Sequence, residues 1–521
     1  MSPNPFKGRT IQIVNDFSVD EQLYLYRKTR DLKKSIKIKS NTEEFRLNDP
    51  DIGIYLLFLE NSTRTKESFR NAGKFHLVRV NDFSSQSSSL GKKETITDTI
   101  KMLVGYSTRS IFVVRSRLEG LCRWLERAMA NYAAKADIPV PSFINAGDGR
   151  HEHPTQEFLD EFSFLEAKNW NREEIHLALV GDLFHGRTVH SKVDGLKIFQ
   201  KVHVDLIAPE ELEMPEHYVH AMVRSGYTVR KFSSIEEYLN TGETADIWYF
   251  TRLQLERMGE QLLERENYFR QAVTFQKEYI HMLPETTRFY HPLPRHGTKP
   301  VIPGFLDNTP LNWWDEQSMN GYYTRIIELA MLGGVIGGDF SGKAKEKLDF
   351  QDDFVEEAVI KQNKKPEYKV GIKPVENGLV IDHIWKGGNP QQIWDHIDKI
   401  RRILGLSTIG SHGVFGSRSG EMKGIISLPG YSGLDERRIK MLGAISPGST
   451  LNLIDNSKIT KKYRLHMPPR IYDFEEISCK NPDCISSKDS SEDVIQEFCR
   501  SEENAFICAY CEQPHAFQDI W

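Results

Sequence analysis

The 521-residue sequence predicts an α/β protein of two doubly wound parallel-sheet domains, followed by a small α+β unit and an all-β C-terminal unit. Three observations carry this expectation. Short apolar runs recur at helix-length intervals: IYLLFL (54–59), SIFVV (110–114), IHLALV (175–180), VHVDLIA (202–208) and DIWYF (246–250). Strands buried on both faces need consecutive apolar residues, and parallel neighbours need a crossover between them. Next, residues 342–370 change character, with about half of them charged. Finally, five of the six cysteines fall within the last 43 residues.

The first two blocks of strands divide near Gln156–Trp170. The charged stretch reads as a linker, in part helical. Beyond it, KVGIKPVENGLVIDHI and KGIISLPG read as strands, with the helical segment NPQQIWDHIDKIRRIL between them. A chain this long exceeds one hydrophobic core, and about 150 residues per domain implies three or four domains.

Hydrophobic residues at 39% and charged residues at 27% fit an ordinary globular protein and exclude wholesale disorder. The N-terminus MSPNPFKGRT lacks the apolar core of a signal peptide, and no run of 18 apolar residues occurs, so a cytoplasmic protein without a membrane partner is expected. Lys and Arg number 68 against 73 Asp and Glu, which gives no basic field for nucleic acid.

After the first apolar run comes Asn61-Ser62-Thr63-Arg64-Thr65, and then Phe69, Ala72 and Gly73 at helical spacing. The motif therefore sits at a strand-to-helix turn. Unpaired N–H groups and the positive dipole end make such a turn an anion site, although Ser62 or Thr63 alone reads equally as a helix cap. Asn145–Gly149 is followed by His153-Pro154-Thr155-Gln156, an imidazole and an amide placed to address a polarised carbonyl and an amide. Cys479-x4-Cys484 and Cys508-x2-Cys511 form two paired-thiolate knuckles 23 residues apart. Four thiolates suit tetrahedral zinc and leave no open position, so the metal is structural. Cys499 is left over and reads as a small buried hydrophobe.

In this order, STRT, HPTQ, Gly186–Ser191 (GRTVHS), Thr251–Gln254 (TRLQ) and His291–Arg295 (HPLPR) resemble the aspartate carbamoyltransferase catalytic chain, over about residues 5–335. The resemblance implies a carbamoyl-phosphate domain at 1–160, an aspartate domain at 161–310 and a helical return to the first domain at 311–340, around Tyr322–Leu332. The linker is then 341–369. Ser62, Thr63, Arg64, Thr65 and Arg115 are implied to hold the phosphate, and Thr65, Arg115 and His153 to act on the carbonyl oxygen. Gln156, with the backbone of Pro292 and Leu293, is implied to fix the carbamoyl NH2. Arg187 matches the contact to the α-carboxylate of aspartate, and Arg252 with Gln254 the contact to its side chain. No catalytic cofactor is implied. The loop SSLGKKETITDT resembles one that reaches a neighbouring subunit's site through Ser89 and Lys93, which implies a homotrimer at minimum. Here the loop lacks the glycine usual after that lysine.

Gly378–Ile384 (GLVIDHI), Ser419–Met422 (SGEM) and Ile454–Asn456 (IDN) follow the order of the family's regulatory chain. That resemblance implies a nucleotide-effector domain at 370–465 and a zinc domain at 466–521. Asp382, His383 and Lys462 match effector-pocket positions, while Ser427 stands where the family has a second lysine and the segment before it is two residues short. Ornithine carbamoyltransferase is the nearest rival; Pro292 and the Arg252/Gln254 pair favour aspartate. A catalytically dead scaffold or a zinc-dependent nucleic-acid binder is disfavoured by the intact contact set and the balanced charge.

Overall fold

The computed structural model describes residues 4–84, 94–254, 264–346, 354–360, 372, 375–406, 410–417, 420–501 and 505–521. It divides into two compact units: Met1–Glu346 with Ser478–Val494 and Tyr510–Gln513, and Lys347–Ile477 with Ile495–Ala509 and Pro514–Trp521.

The first unit holds two parallel sheets. One has the order β2-β1-β3-β4, with β1 Ile52–Phe58, β2 Arg79–Ser84, β3 Arg109–Ser116 and β4 Ser142–Asp148. The other has the order β7-β6-β5-β8-β9, with β5 Glu174–Val180, β6 Lys201–Ile207, β7 Thr228–Phe232, β8 Ile247–Phe250 and β9 Arg288–Tyr290. Each of the five apolar runs is a strand. β1 is buried at every position, as its continuous apolar sequence requires.

Two strands without an apolar run, β2 (RVNDFS) and β7 (TVRKF), lie at sheet edges, where half-exposed positions admit charge. β4 (SFINAGD) is wholly buried despite its polar residues. Its Asn145 amide donates to the carbonyl of Gln12 (2.8 Å), and Asp148 accepts from the Gln12 amide (2.7 Å), so both buried polar groups are satisfied.

The helical return is a 20-residue helix, Trp314–Gly333, packed on helices Val19–Lys37, Thr63–Phe75 and Pro154–Ala167. It ends in the left-handed Gly334 (φ 86°), the usual stop for a helix. Among the described residues no helix is long and apolar enough to cross a membrane.

The second unit carries a six-stranded antiparallel sheet with helices Pro390–Ile403 and Glu436–Ile445. The first of these starts from an Asn389/Gln392 capping box with proline at its N-terminus. Within the expected linker, Val355–Glu357 is not helical: it pairs antiparallel with Lys458–Leu465 as the edge strand of that sheet. Four short strands between Arg470 and His515 form a separate antiparallel sheet.

Candidate active site and metal centre

β1 ends at Phe58, and helix Thr63–Phe75 starts five residues later with Ser62 at its N-cap. The Ser62 side chain accepts no capping hydrogen bond. The first-turn N–H groups are thereby left to an outside acceptor, which favours the anion-site reading of STRT over the capping one.

This turn opens on a cleft of about 810 Å³ between the two parallel sheets. Ser62, Thr63, Arg64, Thr65, Arg115, His153, Gln156, Arg187, Arg252, Gln254, Pro292 and Leu293 all line it. Residues spread over 232 positions thus converge, as the five motifs require. Ser89 and Lys93 lie outside the described residues.

Arg115, near the end of β3, donates to the carbonyl of Ala146 (2.9 Å) and lies 3.8 Å from the carboxylate of Glu60. Arg187 begins the short helix Arg187–His190, donates to the carbonyl of Gly149 (3.0 Å) and lies 3.5 Å from the same carboxylate. Glu60 therefore bridges the arginine of one domain to that of the other. Sequence reading passed over it, although its place directly after a buried strand is where ligand-side residues gather.

His153 is buried, and its backbone N–H donates to Ser191 (3.2 Å). Burial, reinforced by Arg115, Arg187 and Arg325, holds its pKa well below the usual value. The imidazole stays neutral, so it can donate a hydrogen bond to a carbonyl oxygen without carrying charge into the site. His291 is likewise neutral, its pKa lowered to about 3 by burial and by Arg295, Arg252 and Arg64. Its Nδ1 accepts from the N–H of Leu293 (2.8 Å), which folds the Pro292–Leu293 segment back on itself, with Leu293 at φ 55°.

Gln254 is fixed through its backbone N–H, which donates to Asp182 (3.1 Å). The backbone leading to Arg252 runs so close to Gly181 (φ 122°) that a Cβ there would lie 2.3 Å from the carbonyl oxygen of Thr251. Only glycine fits that crossing.

Arg325 also lines the cleft, buried on helix Trp314–Gly333 over the ring of Phe69 at 5.1 Å. Burial lowers its pKa to about 10, so it remains cationic, and pushes that of neighbouring Glu328 up to about 8. The available signal was a charged residue inside the apolar run IIELAML and its approach, where burial demands a partner or a ligand.

Cys479, Cys484, Cys508 and Cys511 are buried, and their sulfurs lie within 4.8 Å of one another. The Cys479–Cys511 separation is 3.6 Å. Tetrahedral zinc with Zn–S bonds of about 2.3 Å places sulfurs about 3.8 Å apart, so the donor set fits a closed zinc site. Cys499 stands apart and only half-buried on strand Glu497–Arg500, its sulfur 3.9 Å from Glu497, rather than as a core residue.

The knuckle loops of the first unit pack on the first α/β domain. Glu119 exchanges backbone hydrogen bonds with Asp483 (2.8 Å) and Ile485 (3.0 Å), and its carboxylate accepts from the Asn481 amide (2.6 Å). A Cβ on Gly120 (φ 79°) would lie 2.5 Å from the Tyr510 backbone. Helix Ile96–Val104 has Thr95 at its N-cap, and Glu492 adds a second, distant acceptor there, taking the N–H of Ile96 and the Thr97 hydroxyl (2.6 Å). His151, two residues before His153, lies 3.2 Å from both Asp148 and Glu512. Burial opposes its charge, but these carboxylates prevail and raise its pKa well above the usual value.

In the second unit, Asp382 pairs with Lys423 (2.7 Å), and His383 contacts the Thr450 hydroxyl (3.4 Å). Burial, with Lys423, Lys462 and Lys386, lowers the pKa of His383 against the opposing pull of Asp382. Lys423 and Lys386 were absent from the sequence reading; Ser427, facing Val380 in the sheet, is fully buried.

Residues 9–166 match the aspartate/ornithine carbamoyltransferase carbamoyl-P binding domain, 370–466 the allosteric domain of the aspartate carbamoyltransferase regulatory chain, and 469–521 its metal-binding domain. Protein PyrBI of Thermotoga maritima is 54% identical, and that of Treponema denticola 52%, each across 99% of both chains. Aspartate transcarbamoylase from Trypanosoma cruzi, in complex with N-(phosphonacetyl)-L-aspartic acid, superposes with a TM-score of 0.54 at 27% identity, covering 63% of this chain and 98% of that one. The chain belongs to the aspartate carbamoyltransferase family, with catalytic and regulatory chains fused in one polypeptide.

Proposed function

We propose that the cleft transfers the carbamoyl group of carbamoyl phosphate to L-aspartate, giving N-carbamoyl-L-aspartate and phosphate in pyrimidine biosynthesis. The observation that carries this reading is the convergence of an anion-ready helix N-terminus, a neutral histidine and two separated arginines in one cleft. The helix turn at Ser62–Thr65 and Arg115 hold the phosphate. The aspartate amine attacks the carbamoyl carbon, and Thr65, Arg115 and His153 receive the charge developing on its oxygen. The new C–N bond forms as the C–O bond to phosphate breaks, and phosphate leaves with the electron pair and a proton from the amine. Rate comes from positioning and fixed dipoles, without a covalent enzyme intermediate.

Arg187 takes the α-carboxylate and Arg252 with Gln254 the side-chain carboxylate, so residues 161–310 serve aspartate and 1–160 serve carbamoyl phosphate. Arg252→Ala is expected to raise KM for aspartate about 100-fold, the loss of a charge-assisted bidentate pair, and to leave KM for carbamoyl phosphate within about threefold. An unchanged aspartate KM in steady-state assays removes the assignment.

Ser89 and Lys93 complete a neighbouring subunit's cleft in a trimer. Mixed Lys93→Ala and Arg64→Ala chains, denatured and reassembled together, should regain activity that neither has alone. Hybrids of correct mass that stay inactive would exclude sharing.

In the second unit Lys423, Lys462 and Lys386, gathered around His383, offer a cationic site for a nucleoside triphosphate, with Lys423 supplying charge where Ser427 does not. Equilibrium dialysis should detect saturable ATP or CTP binding that weakens about tenfold in Lys423→Ala. Absence of binding at millimolar nucleotide leaves this domain without an effector.

A further inference from the structure

Directly beneath the cleft lies a charge cluster that the scheme above does not use. Asp160, Glu157, Glu161 and Lys192 are all fully buried. The Lys192 ammonium donates to Asp160 (2.8 Å) and to Glu157. Burial works against its charge, but Asp160, Glu157 and Glu161 hold its pKa above the usual value. Burial raises the pKa of Glu157 and of Glu161.

The other oxygen of Asp160 accepts two side-chain amides at once. Gln156 Nε2 donates to Oδ1 at 2.8 Å, and Gln317 Nε2 donates to the same atom at 2.6 Å. The remaining oxygen of Gln317 accepts the backbone N–H of His291 (2.9 Å). One carboxylate therefore anchors the side chain of Gln156 and, through Gln317, the start of the His291–Leu293 segment.

This geometry has a chemical consequence. A carboxylate paired with an ammonium only accepts hydrogen bonds, so it must take the NH2 end of each amide. Gln156, which lines the cleft, is then turned with its carbonyl oxygen toward the ligand. Pro292 and Leu293 line the same cleft, and on the reading proposed above their backbone carbonyls add only acceptors. We infer that Asp160, held by Lys192, is a positioning residue that makes the carbamoyl end of the cleft an all-acceptor pocket and so selects an –NH2 over an isosteric –CH3. The inference rests on the reading of Gln156, Pro292 and Leu293 as the carbamoyl-amide contacts.

A purely structural role for the cluster would weaken every ligand alike, whereas a positioning role alters discrimination. The probe is acetyl phosphate, which replaces the NH2 with CH3, measured against carbamoyl phosphate by equilibrium competition on the full chain. Asp160→Asn gives Gln156 a donor to face and lets its amide turn over. The ratio of the two dissociation constants is expected to fall at least tenfold, with phosphate affinity and aspartate KM within about threefold of the parent. Gln317→Leu cuts the His291–Leu293 segment loose from Asp160 while leaving the Gln156–Asp160 bond in place, and is expected to lower the ratio about threefold. It also decides the matter if Asp160→Asn does not fold. Gln156→Ala separates the two levels of the argument. A ratio unchanged in Gln156→Ala overturns the underlying contact assignment. A ratio that collapses in Gln156→Ala but stays within twofold in the folded Asp160 and Gln317 variants overturns the positioning role alone.

Discussion

Arg115→Ala is expected to lower kcat/KM for carbamoyl phosphate by about 10³-fold in steady-state assays at saturating aspartate, the cost of one preorganised donor to a developing oxyanion. The side chain is positioned for this. It is held by the carbonyl of Ala146 and by Glu60 and has little freedom to lose on binding. Removing it withdraws one of the cations that depress the pKa of His153, but burial is the larger cause and remains. The variant therefore keeps a neutral His153, and its pH profile is expected to stay flat through the histidine range while its magnitude drops. Arg115→Lys retains the charge without the planar fork and should recover only part of the loss. A loss below tenfold in Arg115→Ala would assign the residue to structure alone.

Much of this architecture was legible because burial on both faces leaves a simple trace. The runs around Ile54, Ile111, Ile175, Val202 and Ile247 could be read as strands without knowing their neighbours. β2 and β7 escaped notice because an edge strand tolerates charge, and β4 because Gln12, 133 residues away, satisfies Asn145. Most of the expected cleft-lining residues were legible for a different reason, since all of them but Arg115 sit in short motifs whose order along the chain is itself informative. Arg325 and Glu60 sit outside those motifs and become recognisable only in the fold, where Arg325 lines the cleft and Glu60 lies beside Arg115 and Arg187. Lys423 reads in sequence as one residue of a strand, and its pairing with Asp382 comes into view only in the folded sheet. Asp160 reads in sequence as one more acid on the helix after HPTQ; its role depends on Lys192 and Gln317, contributed by two other helices. Contacts of that kind have no periodicity to betray them.

The same limit applied to the cysteine loops, and their contacts carry the second large effect. Zinc removal by a chelator is expected to unfold the sheet between Arg470 and His515, because a four-thiolate site in so small a domain supplies folding free energy directly, about 10–16 kcal/mol in isolated zinc modules. The loss should spread into the first α/β domain. Glu492 accepts at the start of helix Ile96–Val104 from 396 residues away, and the strands' connecting loops hold Glu119 and the charged His151. Losing that acceptor alone costs about 1–2 kcal/mol, or about 2–4 °C per kcal/mol in the melting of a domain this size. Hydrogen exchange on the zinc-free chain should therefore expose the amides of Ile96 and Thr97, which Glu492 accepts, together with the C-terminal strands, while Asp98 stays held by Thr95. Glu492→Ala, with zinc retained, should expose the first group and leave the second protected. If the chelated protein keeps Ile96 and Thr97 protected, the helix stands without its distant acceptor, and the knuckles stabilise only their own domain.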